Sequence, residues 1–295
     1  MWFKQLTAYP MPKKPEKKQL DEMLGGSWFG PCLGLDWFAE GFTQPTPYTD
    51  MAVADADGHY LVALKREEKV LPSAAIKEIL EEKINNIKNA EGRDVGSKEK
   101  RELKEKIIDD LLPRALTRSS RTHAILTDGW LLIDNAAPNK AEKMLAKLRE
   151  ALGGLEAKQP VTRQSPSSLM TNWLLAGEAQ GNFKIGSDIV LRGSGDIAPV
   201  IKIKDKDLTD NDVVQHARNG MTVAEMNLQW HGLDFVLTDK MTLKSIKYLD
   251  VLTELPERDG CDGYNFWYTS QIIMTRYLTD MLTELLGYLG GWNQQ

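Results

Sequence analysis

The middle of the chain carries two stretches of helical periodicity separated by a short break. Between Ser73 and Ala90, apolar residues recur at the three- and four-residue spacing of one helix face. The segment 91–96 contains two glycines and interrupts this pattern, and a second helix is predicted from Ser97, as N-cap, to Pro113. Two amphipathic helices joined by a short break are typical of an antiparallel helical hairpin. Because their apolar stripes are narrow and their flanks are heavily charged, we expect this hairpin to project from the main body.

Shorter apolar runs predict β-strands on both sides of the helical hairpin. Residues 2–9 are predicted to form a first strand, and Ala52–Leu64 a hairpin whose turn contains Asp57-Gly58. Arg121–Leu126 and Trp130–Ile133 are predicted as a second strand pair. The remaining predicted strands, of which the last three form a meander, are Asp188–Arg192, Val200–Lys204, Val223–Gln229, Leu233–Leu237 and Leu243–Leu249.

Residues 10–18, rich in lysine and proline, predict a loop that enters a short helix, and three further helices are predicted after the helical hairpin. One spans Pro138–Leu152 and is followed by two glycines, a second is short and spans Thr209–Arg218, and a long amphipathic helix near the carboxy terminus ends at Gly290-Gly291. Strands and helices occur in clusters rather than in strict alternation. This order favours an α+β fold with mainly antiparallel sheets over a parallel doubly wound sheet.

Composition and charge restrict the class of protein. The 295 residues are 42% hydrophobic and 27% charged, as in proteins that bury a proper core, and the formal net charge is −5. This charge argues against a uniformly basic surface but allows a basic surface on one face. No apolar run reaches the roughly 18 residues of a membrane span, and residues 1–6 do not resemble a secretory signal. Cys32 and Cys261 are far apart, which favours packing thiols in a reduced, cytoplasmic compartment.

The motifs of common enzymes are missing or poorly placed, so no catalytic residue, metal site or cofactor is predicted. Gly193–Ala198 matches a loose G-x-G-x-x-A, but the following residues predict a strand, whereas a dinucleotide site requires a helix there. The four histidines lack metal-ligand spacing. Asp128 and Asp134 bracket a predicted strand, yet a nuclease needs several carboxylates that converge on a metal, and a single sequence does not show convergence.

Tryptophans offer a possible surface for stacking nucleic-acid bases. Four of the eight lie within apolar runs, where core packing is the default interpretation: Trp2, Trp130, Trp173 and Trp230. Trp28 and Trp37 lie in less regular sequence, and both interpretations stay open for them.

A basic segment follows the second helix of the hairpin. It contains Arg114, Arg118 and Arg121 and no acidic residue. Guanidinium groups suit phosphate oxygens because their donors form a rigid fork that stays charged. At the other root of the hairpin lie three more cations: Lys65, Arg66 and Lys69. In an antiparallel hairpin the six cations share one region and form a candidate DNA-binding surface. The alternative is that they form solvated ion pairs with nearby acids, namely Glu67, Glu68, Asp109 and Asp110.

Four blocks of this sequence resemble a known family. They are residues 1–6 (MWFKQL), 65–72 (KREEKVLP), 112–115 (LPRA) and 141–149, which contains Ala-Glu-Lys and Leu-Arg. In order and approximate spacing they are similar to the bacterial recombination-associated RdgC proteins as far as residue 155, and a weaker similarity continues through 204–209 (KDKDLT).

This resemblance implies a non-enzymatic, nucleoid-associated protein that forms a ring-shaped homodimer. In that family a basic inner wall encircles double-stranded DNA without sequence preference and restrains the RecA recombinase. The resemblance implies a central region (1–71 and 118–160), a projecting tip (72–117) and a base region (161–295). It also implies dimer contacts near Leu116 at the tip and near Lys204 and Lys206 at the base.

Two departures weaken particular parts of this expectation. Leu116 stands where some related sequences carry an aromatic residue, so the tip contact is expected to be weaker or packed differently here. The segment 204–207 alternates in charge, which argues against a DNA contact there. Two hypotheses from different classes follow: a ring-forming DNA-binding dimer, and a protein-interaction module of the recombination machinery in which DNA binding is secondary. A metal-dependent nuclease is a third and weaker one.

Overall fold

One antiparallel sheet runs through the molecule. The computed structural model describes residues 1–195, 197–249, 252–254 and 263–293, and within these ranges eleven strands join in a single sheet. The strands are β1 (Leu6–Met11), β2 (Phe38–Thr43), β3 (Val53–Ala56), β4 (His59–Val70), β5 (Leu116–Thr127), β6 (Gly129–Ile133), β7 (Phe183–Arg192), β8 (Val200–Ile203), β9 (Thr222–Trp230), β10 (Leu233–Thr238) and β11 (Thr242–Tyr248). Helices are α1 (Lys17–Gly25), α2 (Ser73–Glu91), α3 (Ser97–Leu111), α4 (Pro138–Leu152), α5 (Pro166–Ala176), α6 (Asn211–Arg218) and α7 (Gly263–Tyr288).

The strand order separates the two halves of the chain along the sheet. It reads β2-β4-β5-β6-β1-β11-β10-β9-β7-β8, and β3 pairs with the start of β4. The halves meet where β1 pairs with β11 through Leu6–Leu243 and Thr7–Thr242. The predicted central and base regions therefore share one sheet.

Two hydrophobic cores lie on opposite faces of the sheet. On the face that we call the front, Tyr9, Leu131 and Ile133 pack with residues of α1 and α4 such as Leu20 and Leu145. On the back face, alternate strand residues pack with α5, α6 and α7. Since α7 contacts β3 and β4 of the first half and its Leu278 and Leu282 share a core with Phe235 and Leu237 of the second, this long helix ties the two halves together.

An arm extends from the sheet at the end of β4 and the start of β5. Between these strands lie α2, α3 and a short 3-10 helix (Leu112–Arg114). Gly92 ends α2 in the left-handed conformation, with φ of 65°, where a glycine has no steric penalty. Few residues are buried within the helical pair, among them Ile76 and Ile107. The predicted helical hairpin is thus present. We call residues 65–121 the arm.

Most of the predicted elements are confirmed. The fold is α+β with a large antiparallel sheet and a long carboxy-terminal helix. Asp57 and Gly58 take the positive φ values, 55° and 80°, of a tight hairpin turn. The helix at Pro138–Leu152 has the predicted bounds, and the meander of three strands is present as β9, β10 and β11.

Several predicted boundaries were wrong. Strand β4 continues to Val70 rather than ending at Leu64, and β7 begins at Phe183 rather than at Asp188. The first strand begins at Leu6 rather than residue 2, because the backbone N–H groups of Lys4 and Gln5 donate to the carboxylate of Asp134, at 3.3 and 3.2 Å, instead of joining the ladder. Gly96, not Ser97, is the N-cap of α3. The short helix α6 begins at Asn211 rather than at residue 209. Strand β5 begins at Leu116 rather than Arg121, since its exposed polar residues hide the pairing with β4. The sequence reasoning did not detect β2 or α5.

Candidate nucleic-acid interface

The register of the arm decides where its cations lie. Strands β4 and β5 pair from Tyr60–Leu126 out to Val70–Leu116, so the two roots of the helical hairpin are neighbours, as predicted. Lys65 pairs with Arg121, and Glu68 pairs with Arg118. Side chains of successive residues point to opposite faces of a sheet. The cations of the two strands are therefore divided between the two faces rather than gathered on one.

On the front face, the arginines of the arm are paired with acids. The guanidinium of Arg66 lies 2.8 Å from Glu40 and 3.6 Å from Glu68, and it covers the ring of Phe38 at 3.9 Å. Arg118 donates to the carboxylate of Glu68. This hydrogen bond and the positive charge of Arg118 lower the pKa of Glu68. The ion-pair alternative therefore describes Arg66 and Arg118.

On the back face, the lysines hold a loop. We call residues 28–37 the anchor loop; it follows the free edge of β2 and folds over the arm. Lys69 is only 8% exposed, and its ammonium donates to the carbonyl of Gly34. The ammonium of Lys65 lies 4.0 Å from the ring centre of Phe29 and 4.0 Å from a carboxylate oxygen of Glu67. These two lysines stabilise the loop, and little of Lys69 is available to a ligand.

Glu67 and Gly41 also hold the anchor loop. The carboxylate of Glu67 accepts a hydrogen bond from the backbone N–H of Cys32 at 3.1 Å. A Cβ on Gly41 would lie 2.6 Å from the Cα of Phe29, so only glycine allows this close approach of two backbones. Cys32 is buried, in agreement with its prediction as a packing thiol; Cys261 lies outside the described residues.

Two arginines of the arm stay free among the described residues. Arg114 in the 3-10 helix and Arg121 on β5 are exposed, and neither has a carboxylate within the 4.0 Å of an ion pair in that part of the chain. Asp109 and Asp110, which were candidate partners, form no such pair with the predicted cations of the arm in the same described region. Arg114 and Arg121 are therefore the predicted cations best placed to contact phosphate.

The predicted dimer contacts lie far apart along the sheet. Leu116 is the first residue of β5, at the root of the helical pair rather than at its turn, and is 83% exposed. Lys204 follows β8, the last strand in the order, and is exposed. Lys206 pairs with Asp210 at 3.9 Å and with Asp212, whose carboxylate raises the pKa of Lys206. Lys206 thus stabilises the start of α6.

A second group of cations lies on the front face of strands β7 to β11, and sequence reasoning did not identify it. The register places Lys184, Lys202, Lys244 and Lys247 on this face. Only Lys244 of these four forms an ion pair among the described residues, with Glu225 at 2.7 Å. The sequence feature that could have identified this group is a single lysine between apolar neighbours in each of these strands.

The same face contains a cleft of about 550 Å³ beside the amino terminus of α4, lined in part by Arg192, Lys240 and Lys244. Arg192 pairs with Asp239 at 3.6 Å. The first turn of α4 has no side-chain cap, and the positive end of the helix dipole adds positive potential. We call this site the basic cleft. Two of its three cations pair with acids of the same lining, Glu225 and Asp239, and Lys240 is the one without an ion pair among the described residues.

The carboxylates considered for a nuclease have structural partners. Asp128 pairs with Lys14 at 2.9 Å. Asp134 holds the backbone of residues 4 and 5, and burial raises its pKa. Among the described residues, no three His, Cys, Asp or Glu side chains gather as a metal ion requires. The Gly-rich turn joins the antiparallel strands β7 and β8, which confirms the predicted hairpin; its Asp196 lies outside the described residues.

The tryptophans divide as expected. Trp130, Trp173 and Trp230 are buried, and Trp2 packs on Tyr248 with ring centres 4.7 Å apart. Of the two left open, Trp28 and Trp37 begin and end the anchor loop, and both are nearly half exposed. No helix in the described part of the chain is long and apolar enough to span a membrane.

Comparisons with known proteins agree on one family along almost the whole chain. The family model described as "Putative exonuclease, RdgC" matches residues 1–292. The recombination-associated protein RdgC of Neisseria meningitidis is 54% identical over 297 aligned residues, which cover 99% of both chains. The proteins of the same name from Laribacter hongkongensis and Pseudomonas aeruginosa are 40% and 32% identical, over 99% of this chain. The chain therefore belongs to the RdgC family of recombination-associated proteins.

Proposed function

We propose that this protein binds double-stranded DNA without sequence preference, as a ring-shaped homodimer, and limits the access of the RecA recombinase to DNA. The observation that carries the proposal is the position of the two predicted dimer contacts. The arm leaves the sheet through β4 and β5, whereas Lys204 follows β8 at the other end of the strand order. From β5 to β8 there are seven strand spacings, or roughly 34 Å at about 4.8 Å each before twist.

With two-fold symmetry, contacts at two separated ends of each chain close a ring of two protomers. If the arm of one protomer meets the arm of its partner and the β8 end meets the β8 end, each contact is isologous, and two chains close completely. Val70 and Leu116 support an apolar contact at the arm, because they are paired on the front face and both are exposed. The free edge of β8 supports a contact at the other end.

The charges support DNA as the occupant of the ring. A ring needs positive charge only along its bore, so a net charge of −5 is compatible with DNA binding. Four lysines on the front face form no ion pair among the described residues and supply the cations of the bore: Lys184, Lys202, Lys247 and, in the basic cleft, Lys240. Arg114 adds a cation at the root of the arm, whereas Arg121, opposite Lys65, adds one on the back face. Non-specific binding to duplex DNA comes mainly from the release of counterions when such cations neutralise phosphates, and it requires no contacts to bases.

We further propose that the protein acts in the cytoplasm at the nucleoid and without catalysis. The support is that Asp128 and Asp134 are engaged by Lys14 and by backbone N–H groups. The test is incubation of an end-labelled duplex with the protein and magnesium. Intact duplex is expected, and shortened products would contradict a purely binding role and support the exonuclease description of the family model.

Two measurements test the ring: the mass of the protein in solution and its affinity for duplex DNA. Size-exclusion chromatography with light scattering is expected to give twice the 33.2 kDa of one chain. Random-sequence duplexes of equal length are expected to bind with equal affinity that falls steeply as salt is raised. A monomer would overturn the ring, and strong preference for one duplex sequence would overturn non-specific binding.

A second candidate is a protein-interaction module in which DNA binding is secondary. The observation in its favour is the anchor loop and its neighbourhood, where Leu33, Leu35, Trp37 and Phe38 are all about half exposed or more. Exposed apolar groups of this kind mark surfaces that contact other proteins. A gel shift with random duplex at two salt concentrations separates the candidates: absence of binding at low salt would favour the interaction module.

A further inference from the structure

A second cleft has the opposite character to the basic cleft. It lies between α1, the loop that precedes β3, and the first turns of α7, and its volume is about 660 Å³. This is the size of clefts that hold small organic molecules, about 300–1,000 Å³. We call it the aromatic cleft.

Three aromatic rings form one side of the aromatic cleft. Tyr264 lies 5.6 Å from Trp267 and 6.1 Å from Tyr48, measured between ring centres, and Tyr48 lies 6.3 Å from Trp267. Tyr48 and Tyr264 are nearly half exposed. The faces of such rings attract cations and also contact methylene groups.

The rim of the aromatic cleft is acidic. Four carboxylates line it, those of Glu16, Asp21, Glu22 and Asp55, against two lysines. Lys17 lies 3.4 Å from Asp55 and Lys18 lies 4.0 Å from Glu22, so the remaining charge of the rim is negative. This potential repels phosphate, and the aromatic cleft is therefore no extension of a DNA-binding surface.

One polar group in the wall lacks a partner. Thr46 lines the aromatic cleft and is 6% exposed, and its hydroxyl oxygen makes no hydrogen bond among the described residues. A buried polar atom without a partner carries a cost that a ligand donor removes. This oxygen is covered by the wall of the cleft, so an ammonium N–H donates to it only after a small movement of the wall.

We propose that the aromatic cleft binds a free aliphatic polyamine. The rings cover the methylene chain, and the carboxylates and Thr46 receive the ammonium groups. A metal ion fits less well, because it requires three converging ligands and no such group occurs in the described residues.

The test is isothermal titration of the full-length protein with spermidine, without DNA, at physiological salt. One spermidine per chain is expected. The double variant Glu16→Gln/Glu22→Gln is expected to weaken binding by roughly tenfold, on the scale of two exposed ion pairs. Tyr264→Ser is expected to weaken it roughly threefold or more through the lost cation–π contact.

The matched control removes the same charge elsewhere. Glu102 and Glu105 on α3 form ion pairs with residues four positions away, as Glu22 does. The variant Glu102→Gln/Glu105→Gln is expected to bind spermidine as the native protein does. Equal losses in the two double variants would show a general charge effect and overturn the proposal. Absence of spermidine binding would also overturn it, and binding of a tetralysine peptide in its place would assign the cleft to a partner protein.

Discussion

Val70 and Leu116 face each other as the outermost pair of the β4–β5 ribbon, and their side chains are 44% and 83% exposed. Both point to the front face, where the ribbon meets the helical pair. The apolar surface that these two side chains leave exposed to water is unfavourable, and a partner that covers it gains free energy. This pair is the apolar feature of the arm that a second protomer is best placed to cover.

Leu116→Asp is expected to shift the protein from dimer toward monomer. In the proposed dimer, each of the two Leu116 side chains that the contact would bury is replaced by a charge. The two replacements together weaken association by about 3 kcal/mol or more. This raises the dissociation constant of the dimer on the order of a hundredfold. Sedimentation velocity across a concentration series measures the shift.

The control for this variant is Val161→Asp, at an apolar residue of comparable exposure to Val70 that lies outside the arm. It is expected to leave the dimer intact. An unchanged dimer in Leu116→Asp would remove Leu116 from the interface.

Arg114→Gln/Arg121→Gln is expected to weaken binding to every duplex sequence alike. The plot of log affinity against log salt should become less steep by roughly 0.9 for each phosphate contact that is lost. Fluorescence anisotropy with random duplexes at four salt concentrations measures both effects. An unchanged slope would exclude these arginines from the DNA contact.

Arg118→Gln is expected to have a smaller effect on DNA binding. Glu68 already pairs with Arg118, so the charge and the N–H donors of this arginine are less available to a phosphate. Arg101→Gln on α3, where the arginine likewise pairs with a glutamate, is the matched control for loss of one paired charge. If Arg118→Gln weakened binding as much as the Arg114/Arg121 double variant, the ion pair with Glu68 would not persist in the complex.

Lys69→Met is expected to destabilise the protein while leaving DNA affinity almost unchanged. The ammonium of Lys69 is buried and donates to the carbonyl of Gly34. Loss of a hydrogen bond from a charged donor costs about 1.5–3 kcal/mol of the free energy of unfolding. Urea denaturation measures this change.

Thiol reactivity gives a second readout of the same variant. In a Cys261→Ser background, Cys32 is the one remaining thiol of the sequence, and it is expected to react faster with a thiol reagent when the anchor loop loosens. A large loss of DNA affinity with unchanged thiol reactivity would instead make Lys69 a DNA contact.

The stability of the fold is expected to depend on His123 in weakly acidic solution. Burial, followed by the charge of Arg121, lowers the pKa of His123 from 6.5 to about 4. The folded state therefore resists protonation. The stability that neutral His123 contributes is fully present above pH 6.5 and is lost as the pH falls from 6.5 to about 4. This loss lowers the free energy of unfolding by at most about 3 kcal/mol.

His123→Gln is expected to flatten this part of the stability profile, measured by urea denaturation at several pH values. His59, whose pKa burial also lowers, contributes in the same direction and stays in the variant. A profile with the native slope would show that His123 is protonated without cost in the folded protein.

Local patterns were sufficient for much of the fold. The helical hairpin followed from apolar spacing around Ile76 and Ile107, and the turn at Asp57-Gly58 followed from residue type, because both depend on neighbours in sequence. The start of β5 did not follow, since Thr117–Ser120 is polar and becomes a strand only through its register with β4.

By itself, the sequence determined the fold class, the two helices of the arm, the family and the set of cations around the arm. The tertiary structure decided what each cation does. Pairing of β4 with β5 placed Arg66 and Arg118 beside glutamates and turned Lys65 and Lys69 toward the anchor loop. Strand pairing also gathered single lysines from distant segments on the front face of β7 to β11. The physical reason is that charge interactions act through space over a few ångströms, and distance in space is set by register rather than by position in the chain.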